Sequence, residues 1–196
     1  LLKQLRTIDS KQSHITIIPL MTFYENNEIE EVLIPYLKFL RNFLFKFSTI
    51  CKKQTNVLLD KFCTEAECLY NANADIERFK TTLSDIEATK DEFTASFYKF
   101  RSKNDISKMI LKSIYPAPEG FQYTNEVWLE HIIPTKWKTN PKWHAFFETI
   151  IIEKNEGREI HEKLVLNDYV NLIKDYIGNH CLILYTDNIS LGNKFY

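Results

Sequence analysis

Val127-Trp128-Leu129-Glu130-His131-Ile132-Ile133-Pro134 is the stretch on which the reading of this chain turns. Val127-Trp128-Leu129 is a short β-like run. It delivers two chemically active side chains in succession, the carboxylate of Glu130 and the imidazole of His131. Neighbours on a strand point to opposite faces, so the pair can share one site only where the chain bends. Pro134, three residues on, is a plausible cause of that bend.

Toward the C-terminus, Pro141 to Glu153 and Glu159 to Tyr176 read as helices, with Asn155-Glu156-Gly157 as the break between them. Ile177-Gly178-Asn179 is a glycine turn that brings an amide to the start of a second strand, Cys181 to Tyr185. Thr186-Asp187-Asn188 is an N-cap signal before a last segment that ends in Asn193, Lys194, Phe195 and Tyr196. Strand with His, strand, then helix with a ligand is the layout of a site that activates water beside one hard cation.

Toward the N-terminus the texture changes at Tyr115-Pro116-Ala117-Pro118-Glu119-Gly120, where two prolines and a glycine end a helix and open a new unit. From Ser13 to about Tyr115 the pattern is helical almost throughout. Glu28 to Phe47 carries Val32, Leu33, Tyr36, Leu37, Leu40, Phe43, Leu44 and Phe47 at three- and four-residue spacings. Gln54 to Tyr70, Asp75 to Glu87, Lys90 to Phe100 and Asp105 to Tyr115 follow in the same style, the last with Ile106, Met109, Ile110 and Ile114 on one face. In the stretch that begins at Ile15, Pro19 sits in a first turn or kinks the helix. The expected fold is mainly α: a helical bundle over residues 1–115, then a small α+β domain over 116–196 whose β structure is one hairpin.

Composition sets outer bounds. Of 196 residues, 44% are hydrophobic and only four are glycine, which argues for a packed body and against disorder. The net charge of −1 means that any nucleic-acid contact must be local. Cys51, Cys63, Cys68 and Cys181 make no CxxC pair, so no structural zinc is expected; reduced thiols in a cytoplasm are. No apolar run approaches the roughly 20 residues that cross a bilayer. The opening Leu1-Leu2-Lys3-Gln4 reads as the middle of a longer chain.

The order acid-His-hydrophobic-x-Pro, Gly-Asn into a strand, then Asn-x-x-x-x-Asn-Lys resembles the HNH (His-Me finger, ββα-metal) nuclease domain that ends GmrSD-type modification-dependent restriction enzymes. The helical part is similar to the region that precedes the nuclease in those proteins. The resemblance implies a metal-dependent DNA endonuclease of a bacterial restriction or anti-phage system. It assigns His131 as the base that deprotonates the attacking water, and Asn179 as the residue that hydrogen-bonds and orients the His131 ring. It makes Glu130 and Asn188 ligands to Mg²⁺, for which Mn²⁺ can substitute, and Asn193 and Lys194 phosphate contacts. It implies DNA as partner, and an NTP-handling domain in the full-length protein. Relatives continue beyond the equivalent of Tyr196 with more basic residues, and His180 stands where they have a hydrophobic residue.

The same residues have plainer readings. Asn179 can cap a turn after Gly178 and Asn188 can cap the last helix. His144 and His161 read as helix-face residues, and His14 has no partner pattern. Trp128, Trp137 and Trp143 read as packing. Lys136, Lys138, Lys142 and Arg158 either track a phosphate backbone or form a solvated face. The alternative function is a non-catalytic DNA-binding or assembly module on the same fold.

Overall fold

The computed structural model describes residues 1–8, 11–27, 30–101, 104–115, 127–158 and 164–184. By packing, the chain divides into two compact units, Leu1–Lys99 and Phe100–Tyr196.

The regular structure of the first unit is helical among its described residues. Its helices are α1 (Leu2–Ile8), α2 (Ser13–Asn27), α3 (Glu30–Leu44), α4 (Leu59–Tyr70), α5 (Ile76–Ser84) and α6 (Lys90–Tyr98). A π-helical turn, Phe45–Ile50, prolongs α3, and a 3-10 turn, Thr55–Leu58, leads into α4. The α3 stripe works as its spacing predicts: Leu33, Tyr36, Leu37, Leu40, Phe43 and Leu44 are all buried. Pro19 lies well inside α2 rather than in its first turn. The α2 helix packs chiefly on α4, and α3 packs on α1, α2 and α5. Local chemistry sets two of the helix starts. The Asp75 carboxylate accepts from the N–H groups of Glu77 and Arg78 to open α5, and Thr89 with Glu92 forms a reciprocal capping box on α6.

The core of this unit is aromatic. Phe79 meets Tyr36 (5.9 Å), Phe39 (5.6 Å) and Phe62 (5.8 Å), and Phe43 stacks on Phe47 at 5.3 Å. One charge is buried beside these rings. Glu65 is 2% exposed; its Oε1 accepts from the Tyr36 hydroxyl at 2.6 Å, and Arg78 Nη2 lies 3.2 and 3.3 Å from its two oxygens. Burial pushes the Glu65 carboxyl above its ordinary range, against the opposing pull of Tyr36 and Arg78.

The second unit holds α7 (Asn104–Ile114), β1 (Val127–His131), α8 (Pro141–Asn155), α9 (Leu166–Ile173) and β2 (His180–Leu184). The strands pair antiparallel, with Val127 opposite Leu184, Glu130 opposite Cys181 and His131 opposite His180. This is the sheet found among the described residues, as expected from the sequence. Its second strand starts one residue before Cys181, and Tyr185 lies outside the described residues. The α7 helix packs on both strands. The sequence reading had grouped it with the helical region, because the break in composition at Tyr115 comes after it. It buries Ile106, Ser107, Ile110 and Leu111, while Ile114 is exposed.

Between the strands, α8 and α9 form a small core of Trp137, Trp143, Phe147 and Val170, against which Ile133 and Ile173 pack. Asn140 caps α8, with Pro141 in the first turn, and the Asn155 side chain ties the end of α8 to both main-chain polar groups of Leu164.

Candidate active site

His131 is the last residue of β1, half-buried, and the chain bends only after it, at Ile132 and Ile133. Three anchors hold that bend. The Ile132 N–H donates to the Asn179 carbonyl at 2.8 Å. The Ile133 N–H donates to Asn179 Oδ1 at 2.7 Å, and Asn179 Nδ2 donates back to the Ile133 carbonyl at 3.3 Å. The Trp137 N–H donates to the Pro134 carbonyl at 3.0 Å, and Trp137 itself is 1% exposed in the α8–α9 core.

The role assigned to Asn179 is therefore corrected. Its remaining donor goes to the Lys174 carbonyl at 2.7 Å, so the buried amide is spent on main chain and does not hold the His131 ring. It fixes the backbone that follows His131 and links it to the end of α9. Asn179→Ala would strand several buried polar groups and should destabilise the second unit by roughly 2–3 kcal/mol.

Glu130 and His131 are not brought to one point by a bend between them. The strand runs straight through both, so their side chains leave opposite faces of the hairpin. Glu130 sits beside Cys181, whose thiol is pushed up by burial and by the Glu130 charge. No group of three or more His, Cys, Asp or Glu able to hold a metal occurs among the described residues. Asn188, Asn193, Lys194 and His161 lie outside the described residues.

What His131 does meet is His180. The two rings pack edge-to-face, centroids 4.5 Å apart and planes at 89°. His180 is 5% exposed, and its Nδ1 lies 2.9 Å from Ser107 Oγ on α7. Burial holds its pKa down to about 4; a charge on His131 lowers it further and Asp175 opposes. His180 is thus neutral at pH 7. The sequence reading marks His180 as a departure from the resembled pattern that adjoins the site, without giving it a role, and takes no notice of Ser107. A serine on the buried stripe of an amphipathic helix was the available signal.

Because His180 protonates only at low pH when folded but near 6.5 when unfolded, its stabilising contribution is complete above about pH 6.5. That contribution is lost as pH falls toward 4, and is worth at most roughly 3 kcal/mol. The tryptophans, Trp128, Trp137 and Trp143, all belong to the second unit, so their fluorescence reports on it alone. Its melting temperature should drop between pH 6.5 and 4, and His180→Phe should flatten that dependence.

Lys136 and Lys138 are exposed on the loop beyond His131, and Lys138 Nζ lies 5.7 Å over the Trp137 ring. Lys142, at the start of α8, is also exposed. His144 stands on the face of α8, stacked on Trp137 and 3.4 Å from Glu148. Against α7, an apolar cavity of about 640 Å³ is lined by Leu111, Val127, Gly178, His180 and Leu182. Such walls cannot neutralise phosphates, so a nucleic-acid strand does not belong there. No helix among the described residues is long and apolar enough to cross a membrane. No family model, no curated protein and no solved structure matches the chain.

Proposed function

We propose that the second unit hydrolyses phosphodiester bonds in DNA, with His131 as general base. The observation that carries this is an imidazole at a strand end, half open to solvent, whose following loop is stitched to Asn179 by three hydrogen bonds. A general base works from a fixed position within hydrogen-bond reach of the water it deprotonates, and the hairpin supplies that fixity. Neutral His180 lets His131 accept a proton without a like charge beside it. Lys136 and Lys138 provide local positive charge on a chain of net charge −1, suited to phosphate oxygens.

The described residues do not by themselves fit a cation. Glu130, the carboxylate next to His131 in sequence, leaves the opposite face of the hairpin, and no group of three or more His, Cys, Asp or Glu able to hold a metal occurs among the described residues. The Mg²⁺ of the resembled family would need Asn188 or other groups after Leu184. Its role there is to offset charge on the scissile phosphate and leaving oxygen. Restriction of foreign DNA in a bacterial cytoplasm, alongside an NTP-handling domain, belongs to this same reading.

The second reading is a DNA-binding or assembly module without catalysis, which the exposed Lys136 and Lys138 beside the hairpin would serve equally. Supercoiled-plasmid nicking by the purified chain separates the two. The endonuclease reading expects nicking with Mg²⁺ or Mn²⁺ that stops with EDTA, and DNA affinity that falls steeply with salt as phosphate contacts are screened. Salt-sensitive binding with no nicking under any metal would select the module. Salt-insensitive binding would remove Lys136 and Lys138 from the interface.

A further inference from the structure

Asn179 and His180 are consecutive, and they hold different parts of the same neighbour. Asn179 grips the main chain just past His131; His180 faces the His131 ring across the hairpin. His180 is well suited to being a fixed wall. It is buried, α7 packs on both strands behind it, and Ser107 Oγ engages its Nδ1 at 2.9 Å. Its Nε2 is buried without a hydrogen-bond partner among the described residues, an arrangement that costs free energy. What the imidazole adds to its ring is the tie to Ser107.

We propose that His180, pinned by Ser107, is the positioning residue that sets the orientation of the His131 ring. This rests on the reading of His131 as a base, and deepens it: backbone and ring of the base are held by two successive residues of β2 and its lead-in turn. Edge-to-face contact fixes the plane of the ring, because the positive edge of one ring seeks the negative face of the other. A base rotated out of line with its water loses rate without losing substrate affinity.

The test uses the full chain with three variants. His180→Asn keeps an acceptor for Ser107 and removes the ring; His180→Phe keeps a ring and loses the hydrogen bond; Ser107→Ala loosens the ring in place. Steady-state cleavage of an oligonucleotide duplex and long-range ¹H–¹⁵N spectra of the His131 imidazole are the readouts. His180→Asn should lower kcat by about tenfold to a hundredfold with KM unchanged, and shift and broaden the His131 ring signals as the ring loses its fixed orientation. His180→Phe, which keeps a ring but loses the Ser107 bond, should fall between His180→Asn and wild type, with the severalfold loss expected of Ser107→Ala. A wild-type rate and an unaltered His131 spectrum in His180→Asn, or equal losses in Asn and Phe, would overturn the proposal. If the wild-type chain cuts no DNA, the nuclease reading fails and the spectra alone decide: an unchanged His131 in His180→Asn refutes positioning. Should His180→Asn misfold by tryptophan fluorescence, Ser107→Ala carries the test. It should give a severalfold kcat loss and broadened His131 signals, and the absence of both would sink the idea.

Discussion

Replacing His131 with alanine is expected to lower metal-dependent plasmid cleavage by about 10²–10⁴-fold while leaving the fold and DNA binding nearly intact. The rate falls because the proton of the attacking water has nowhere to go in the transition state. The fold survives because His131 is the half-buried end of its strand, and the loop beyond it is held by Asn179 and Trp137 rather than by the imidazole. Asn179→Ala is the contrasting variant: it should lose both rate and stability, because it cuts main-chain ties. Cleavage across a Mg²⁺ series, with tryptophan-fluorescence melting of each variant, distinguishes the two. A His131→Ala protein that still cuts like wild type would remove His131 from the chemistry and turn attention to His180.

The second large effect lies in the helical unit. Arg78→Ala leaves the Glu65 carboxylate buried with only the Tyr36 hydroxyl against it. Breaking a fully buried pair costs roughly 3–5 kcal/mol; with the Arg78 side chain 32% exposed, solvent screens part of this and roughly 2–3 kcal/mol is expected. Glu65→Gln in the same chain removes the stranded charge and keeps an acceptor for Tyr36, so the double variant should regain most of the loss. Urea unfolding followed by far-ultraviolet circular dichroism measures both. Equal stability of Arg78→Ala and wild type would mean that the ion pair contributes nothing beyond what water would supply.

Periodicity carried the helical unit well. The α3 stripe from Leu33 to Leu44 is buried as its spacing requires, and the prolines and glycine after Tyr115 mark a true end, since α7 stops at Ile114. The antiparallel hairpin was legible because Val127–Leu129 and the Cys181–Leu184 run are short apolar segments with turn residues beside them. At the level of single side chains the pattern misled. Asn179 followed a glycine in the right order, yet order says nothing of which of its neighbours an amide will satisfy first. Burial decided this: an amide that is 6% exposed must pair all its polar atoms, and the main chain of Ile133 and Lys174 was within reach.

From its residue pattern alone this chain is mainly helical, with one hairpin, and His131 stands at the end of its first strand. Those features follow from local periodicity and turn chemistry, which act over a few residues. Tertiary packing alone put Ser107 on His180, 73 positions away, set His180 against His131, and assigned α7 to the hairpin. Such pairings depend on strand register and on which helix face is buried, and a shift of one residue in either would have turned each of these side chains elsewhere.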